Sequence, residues 1–179
     1  MQDNEQRGEV QPRSITLRDG RSVLVRMIRP DDLDGIKAAF EQLCPEARYS
    51  RFFTTVRAVP EDIVDWTIHP APERCVALIA LSGKAPAQTV VGGARYITTP
   101  GTDGCEFAVT VADDWHGLSL ARQLMETLIA TARARGLRHM EGHVLSANMG
   151  MRGLADRLGF TDAPCPGDYT LRELSLRLD

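Results

Sequence analysis

Two features of the chain could do chemistry. Glu106 stands in the run Cys105-Glu106-Phe107-Ala108-Val109-Thr110-Val111, whose other members are apolar or β-branched. A run of this kind, with no Gly or Pro inside it, argues for a buried strand. Burial would raise a carboxylate's pKa toward the range where it can take a proton near neutral pH, so Glu106 is a candidate general base. A glutamate on a solvated strand face is the structural alternative. The second feature follows directly. Ala112-Asp113-Asp114-Trp115-His116-Gly117 breaks the run, and Leu118, Ala121, Leu124, Met125, Leu128, Ile129 and Ala132 then recur at helical spacing up to a stop at Gly136. A helix that opens on a glycine-containing turn offers free N–H groups and the positive end of a dipole, a combination that can hold a phosphate. Arg122, in the first turn, could add a charge-assisted bond to the same anion.

The elements around these residues must position them. Residues 14–17 and 23–28 flank Arg18-Asp19-Gly20-Arg21, a hairpin signal. Arg29-Pro30-Asp31-Asp32 opens a helix with Leu33, Ile36, Phe40 and Leu43 on one face, ending at Cys44-Pro45. Residues 48–53 read as an aromatic and basic segment between helices, packing its Phe rings on the core. A short helix from Glu61 to His69-Pro70, strands over 75–81 and 90–97, and a strand over 137–145 follow. Gly92-Gly93 inside the second of these strands marks a bulge or a close backbone approach. Asn148 caps a helix over 149–158 that Gly159 ends, and residues 169–178 form the last strand. The order is hairpin, helices, three strands, helix, strand, helix, strand, an α+β arrangement around a mixed sheet.

Composition bounds the function. The 179 residues carry a formal charge of −3, 43% hydrophobic and 25% charged residues, enough for one globular domain. Without a basic tail or stripe, non-specific nucleic-acid binding is not expected. Cys44, Cys75, Cys105 and Cys165 are widely spaced and read as reduced thiols of a cytoplasmic protein. His139 and His143 share a strand face but lack a third ligand, so no metal is expected. Residues 1–13 have no apolar core of a signal peptide and no run is long enough to span a bilayer. The expectation is a flexible tail over 1–13, a domain over 14–179 and no membrane partner; an oligomer is compatible with the pattern.

The loop His116-Gly117-Leu118-Ser119-Leu120-Ala121 resembles the acyl-CoA diphosphate loop, Gln/Arg-x-x-Gly-x-Gly/Ala, of the GNAT (general N-acetyltransferase) superfamily. Ala121 fits the last position, while His116 and Ser119 replace the usual Gln/Arg and the central Gly. Asn148 through Leu158-Gly159-Phe160 resembles the family's next helix, and residues 25–32 its opening. Residues 48–53, ahead of Glu61-Asp62-Ile63, resemble the catalytic domain of bacterial Pat-type protein lysine acetyltransferases. The resemblance implies a GNAT-like, mostly antiparallel sheet flanked by helices and an acetyltransferase using acetyl-CoA. It places a catalytic glutamate at Glu106 and the wall of the acceptor pocket at residues 48–53. Acetyl-CoA would be held by Val109, Thr110 and Val111, by His116, Gly117, Leu118, Ser119, Leu120, Ala121 and Arg122, and by Asn148. Backbone N–H groups near Val109 and Thr110 would polarise the thioester carbonyl.

Moving an acetyl group to an amine requires three things. The ammonium, whose reference pKa for lysine is near 10.4, must lose a proton; the carbonyl oxygen must be stabilised; and the thiolate must leave. Many GNAT enzymes supply the last proton from a Tyr whose position is held here by Ala155, which leaves Tyr96 and Tyr169 as substitutes. The acceptor is expected to be a primary amine, with protein lysine first and small amines second. Two other readings stay open. Gly117-Leu118-Ser119-Leu120-Ala121 is one residue from a hydrolase nucleophile elbow, and the same fold could serve as a non-catalytic acyl-CoA sensor.

Overall fold

The computed structural model describes residues 9–53, 57–69 and 71–179. Of the expected tail, residues 1–8 lie outside the described residues, as does Pro70 at the foot of the third helix.

The hairpin forms as its Asp-Gly predicts, with β1 (Arg13–Thr16) antiparallel to β2 (Ser22–Met27) and Gly20 at φ +86° in the turn. A 3-10 turn over Pro30–Asp32 leads into α1 (Leu33–Gln42). Asp32 holds this junction. Its carboxylate takes two 2.7 Å bonds from the Arg26 guanidinium and a third from the Arg29 amide. Burial pushes its pKa up, but the bonds from Arg26 and Arg29 outweigh burial and hold it below the usual carboxylate range. Asp162 behaves alike: desolvation raises it, and Arg152 and Arg172, at 2.6 and 2.5 Å, lower it further than that. A depressed folded-state pKa gives stability that is complete above the unfolded value, about 3.9 for Asp, and lost as pH falls through the folded value. The urea midpoint is therefore expected to fall on acidification below about pH 4, and Asp32→Asn should flatten that fall.

Residues 45–52 correct the sequence reading. Cys44-Pro45, taken as the end of one helix, starts another, α2 (Pro45–Phe52). Proline fits the first helical position because no N–H is needed there. The Cys44 sulfur accepts from the Ala47 amide at 3.4 Å, a cap that a thiol supplies and that sequence rules keyed to Ser, Thr, Asp and Asn do not flag. The Cys44 amide in turn donates to Asp113 Oδ2 at 3.1 Å, tying α2 to the turn beyond Glu106's strand. After α3 (Glu61–Ile68) come β3 (Cys75–Ser82), β4 (Thr89–Thr98) and β5 (Gly104–Val111), all antiparallel neighbours. The glycine pair does both things expected of it. The β3–β4 register slips between Ala80 and Leu81, opposite Gly92, and a Cβ on Gly92 would sit 3.3 Å from Leu120 of the next helix.

That helix, α4 (Leu120–Ala134), packs on β4 and β5 through Leu120, Leu124, Met125, Leu128 and Ala132, all essentially buried. Each large side chain of this set contributes about 1.5–3 kcal/mol by burial. Then β6 (His139–Leu145), α5 (Met149–Arg157), β7 (Thr161–Cys165) and β8 (Asp168–Arg177) complete the chain. Strand β7 is a second correction. Thr161-Asp162-Ala163-Pro164-Cys165 has no apolar alternation, and it forms because it borders the sheet, where Pro is tolerated.

The eight strands run β1-β2-β3-β4-β5-β6-β8-β7, antiparallel except for β5 and β6. These two pair in parallel only from Gly104 to Glu106 against His139 to Glu141, and then part. The architecture is α+β with an open, mostly antiparallel sheet, α4 on one face and α1 to α3 on the other.

Candidate active site

The site begins where β5 and β6 separate. Alternation along β5 puts Cys105 and Phe107, both buried, on the α4 face, and Glu106, Ala108 and Thr110 on the face of α1 to α3. Phe107 fills the fork. Its ring meets Phe160 edge-on at a centroid distance of 5.3 Å, and it lies over Gly142 of β6, where a Cβ would stand 2.6 Å from the ring. Only glycine lets the ring rest against that strand.

The free edge of β5 can be assigned by parity. The Ala112 amide bonds Val91 at 2.9 Å and the Thr99 amide bonds Gly104 at 2.9 Å, one at each end of the β4–β5 ladder. In an antiparallel ladder, hydrogen-bonded and non-bonded pairs alternate. Ala108 and Thr110 therefore direct their main chain to β4, while Val109 and Val111 direct theirs to the gap. The expected Thr110 amide donor is corrected on this ground: it belongs to the ladder with Gly93. The donors facing the gap are Val109 and Val111.

Beyond β5, a 3-10 turn over Asp113–Trp115 leads into the loop. His116 donates from Nε2 to the Val111 carbonyl at 2.8 Å, which fixes the proton on that nitrogen because a carbonyl can only accept. Gly117 and Ser119 both have positive φ, +73° and +72°. The helix opens at Leu120, two residues later than the periodicity suggested, and its first intrahelical bond runs from the Gln123 amide to Ser119 at 3.0 Å. The N–H groups of Leu120, Ala121 and Arg122 therefore have no carbonyl within the helix. This fits a diphosphate, which needs such donors at a helix N-terminus. Arg122 lies along its own helix, 2.8 Å from Glu126. That exposed pair is worth about 0.3–0.5 kcal/mol, so Arg122 can turn to an anion at little cost. Leu118, like the buried Leu120, turns its side chain inward. Its side chain packs on the core, and its carbonyl accepts from the Arg18 amide and the Ser119 hydroxyl.

Ser119 occupies the position where the family pattern has glycine, and the left-handed backbone explains that preference. A non-glycine residue there costs roughly 1–2 kcal/mol. Ser119→Gly is expected to raise stability by about 1 kcal/mol by relieving it, read as a higher urea midpoint. An unchanged or lower midpoint would mean the hydroxyl bond to Leu118 offsets the strain. The hydrolase elbow finds no support, since the nearest candidate base, His116, has its Nε2 proton on Val111 and the sheet is not a parallel one.

One cleft of about 880 Å³ joins these parts. It runs from His116, Gly117 and Ser119 to Arg122 past Asn148, along Val109 to Val111, and on to Glu106 under α2. Asn148 caps α5 through Oδ1, which accepts from the Met151 amide at 3.1 Å. Glu106 is exposed, a correction to the buried carboxylate expected from its apolar neighbours. Those neighbours are buried on the other face or along the strand, and the parting of β6 opens Glu106 to the cleft. Ser50, Arg51 and Phe53 form the expected wall opposite it.

Arg95, which sequence reasoning did not single out, and His143, weighed there only as a metal ligand, line the same cleft. His143 follows Glu141, the register partner of Glu106, by one pleat and so shares its face. Strand parity alone could have found it, had the pairing of β5 with β6 been legible. Burial pushes the Arg51 guanidinium down to about 10; nearby Arg95 adds to this, and Asp62 and Glu106 oppose it. It stays charged at neutral pH. No tyrosine reaches the cleft among the described residues. Tyr96 is fully buried on the α4 face, where burial pushes its hydroxyl up to about 12 against the Arg135 charge. Tyr169 is 88% exposed at the start of β8, and Ala155 is buried on the inner face of α5. Also among the described residues, no group of three His, Cys, Asp or Glu could hold a metal, and no helix is long and apolar enough to cross a membrane.

With this geometry in view, the acetyltransferase (GNAT) family model matches residues 37–160. The chain belongs to that family. An acetyltransferase of Pseudomonas aeruginosa is 34% identical over 155 residues, 87% of this chain and 83% of its own length. Acetyltransferase Pat of Mycolicibacterium smegmatis is 27% identical over 156 residues, 84% of this chain but 44% of Pat, so the chain spans less than half of that relative. Among solved structures, the GNAT domain of S. lividans Pat superposes with a TM-score of 0.81 at 27% identity, covering 93% of this chain and 96% of that domain. The GNAT chain described here is thus an acyltransferase with acetyl-CoA as its co-substrate.

Proposed function

We propose that this GNAT protein transfers the acetyl group of acetyl-CoA to a primary amine, with a protein lysine as the acceptor and Glu106 as the general base. The observation that carries the reading is the fork itself: a carboxylate on the cleft face, adjoining a strand edge whose Val109 amide faces the gap. Glu106, directly or through one water, takes a proton from the ammonium, and the neutral amine attacks the thioester carbon. The Val109 N–H stabilises the oxyanion as the tetrahedral intermediate forms. The C–S bond then breaks and the amine sheds its second proton. The products are the amide, free CoA and one proton. No tyrosine is needed for departure, because a thiol, at about pKa 8.5, is a fair leaving group.

A lysine acceptor is supported by the openness of the cleft beneath α2, where Glu46 and Glu106 lie within reach of an extended cationic side chain. Arg51 and Arg95 in the same cleft favour a second reading, a small amine that also carries a carboxylate. Acetyl-CoA as co-substrate and four free cysteines suit a reducing cytoplasm. The test is release of free thiol from acetyl-CoA with a panel of lysine peptides and amino-acid amines. Faster turnover on peptides supports the first reading and faster turnover on amino acids the second. Binding of acetyl-CoA with no turnover on any amine would mark the domain as a sensor.

A further inference from the structure

A second cavity, of about 150 Å³, lies between the sheet and α1 to α3. Its walls are Ile36 and Phe40 of α1, Phe52 of α2, Ile63 of α3, and Ala77 and Val90 from the sheet. It also shares Arg51, Arg95, Ala108 and Thr110 with the large cleft, so the two spaces adjoin. The junction lies on β5. Ala108 and Thr110 project to this face on either side of Val109, whose amide faces the gap. Gly93, opposite Thr110 in the register, adds no side chain to the passage.

We propose that this cavity receives the aliphatic tail of the acyl group, so that the protein takes acyl-CoA thioesters longer than acetyl. The inference rests on the reading that places the thioester carbonyl at Val109. A substituent on that carbonyl then starts between Ala108 and Thr110, where the cavity opens. The space suits such a guest: about 150 Å³ between mostly apolar walls is room for a molecule the size of benzene, six carbons. A methylene chain laid against those walls removes apolar surface from water and gains dispersion contacts. A charged or hydrogen-bonding tail is disfavoured beyond the junction, since apart from Arg51, Arg95 and Thr110 the side chains of the walls are apolar.

The test is calorimetric titration with CoA and with acetyl-, propionyl-, butyryl- and hexanoyl-CoA. Affinity is expected to rise about fourfold per added methylene, the factor for burying one CH2, so that butyryl-CoA binds roughly tenfold or more tighter than acetyl-CoA. Ala39→Leu and Ala77→Val each fill the cavity from a different wall. Both should flatten the chain-length series while acetyl-CoA affinity stays within twofold. A flat or falling series in the wild type, with acetyl-CoA bound normally, overturns the proposal and leaves the transferase reading intact. So does a rising series that persists in a filled, folded variant. Absence of binding by CoA and every thioester overturns both readings together.

Discussion

Glu106→Gln is expected to lower kcat/KM for an amine acceptor by about 10²–10⁴-fold at pH 7, the range that general-base catalysis contributes, while acetyl-CoA affinity stays within twofold. Glutamine keeps the shape and exposure of the side chain but cannot take the proton. The size of the deficit should depend on pH in one direction. An alkyl amine is almost wholly protonated at pH 7 and half deprotonated near pH 10.4, so the base matters less as the solution takes over its task. The gap between variant and wild type should therefore narrow as pH rises toward 10. A deficit that stays constant across that range would mean that Glu106 binds the acceptor instead of taking its proton. An unaffected variant would move the search to His143, which shares the cleft face.

Phe107→Ala, one residue along, is expected to cost about 3–5 kcal/mol of stability, the usual range for a buried Phe. For a domain of this length that corresponds to a fall of roughly 10 °C in Tm. Phe107 is 5% exposed, stacks edge-on against Phe160 and lies across the bare backbone at Gly142. Its removal leaves a void at the fork, with no neighbouring side chain on Gly142 to collapse into it. Gly142→Ala should destabilise from the opposite direction, by about 1–3 kcal/mol, because the new methyl meets a ring that is pinned on its other side. Glu106→Gln, in contrast, should move the urea midpoint hardly at all, as exposed substitutions stay within about 0.5 kcal/mol. Two adjacent residues on opposite faces thus separate catalysis from stability. A Phe107→Ala protein with an unchanged melting temperature would show that the fork is held by something other than this ring.

What could be read from the sequence was local. The Asp-Gly hairpin, the α4 stripe from Leu124 to Ala132, the Asn148 cap and the terminal glycines at 136 and 159 each declare themselves within a few residues. What could not be read depended on partners elsewhere in the chain. Strand β7 exists only because β8 offers an edge, and α2 is capped by a sulfur and tethered to Asp113, 69 positions away. Glu106 looked buried because its neighbours are, and its exposure follows from where β6 stops pairing, which no local pattern encodes. The amide expected from Thr110 failed in the same way, since ladder parity is a property of two strands. The loop from His116 to Ala121 was legible as chemistry but not as conformation. Only the backbone reveals that Ser119 adopts the left-handed geometry that a glycine would take freely.

The two borders of the sheet carry a further consequence. β1 offers four residues, and β7 offers five, with Pro164 lacking an amide proton and a register slip at Cys165. A border this short and interrupted is a poor template for another chain's main chain. Main-chain pairing with another copy of this molecule is therefore disfavoured at both of these strands.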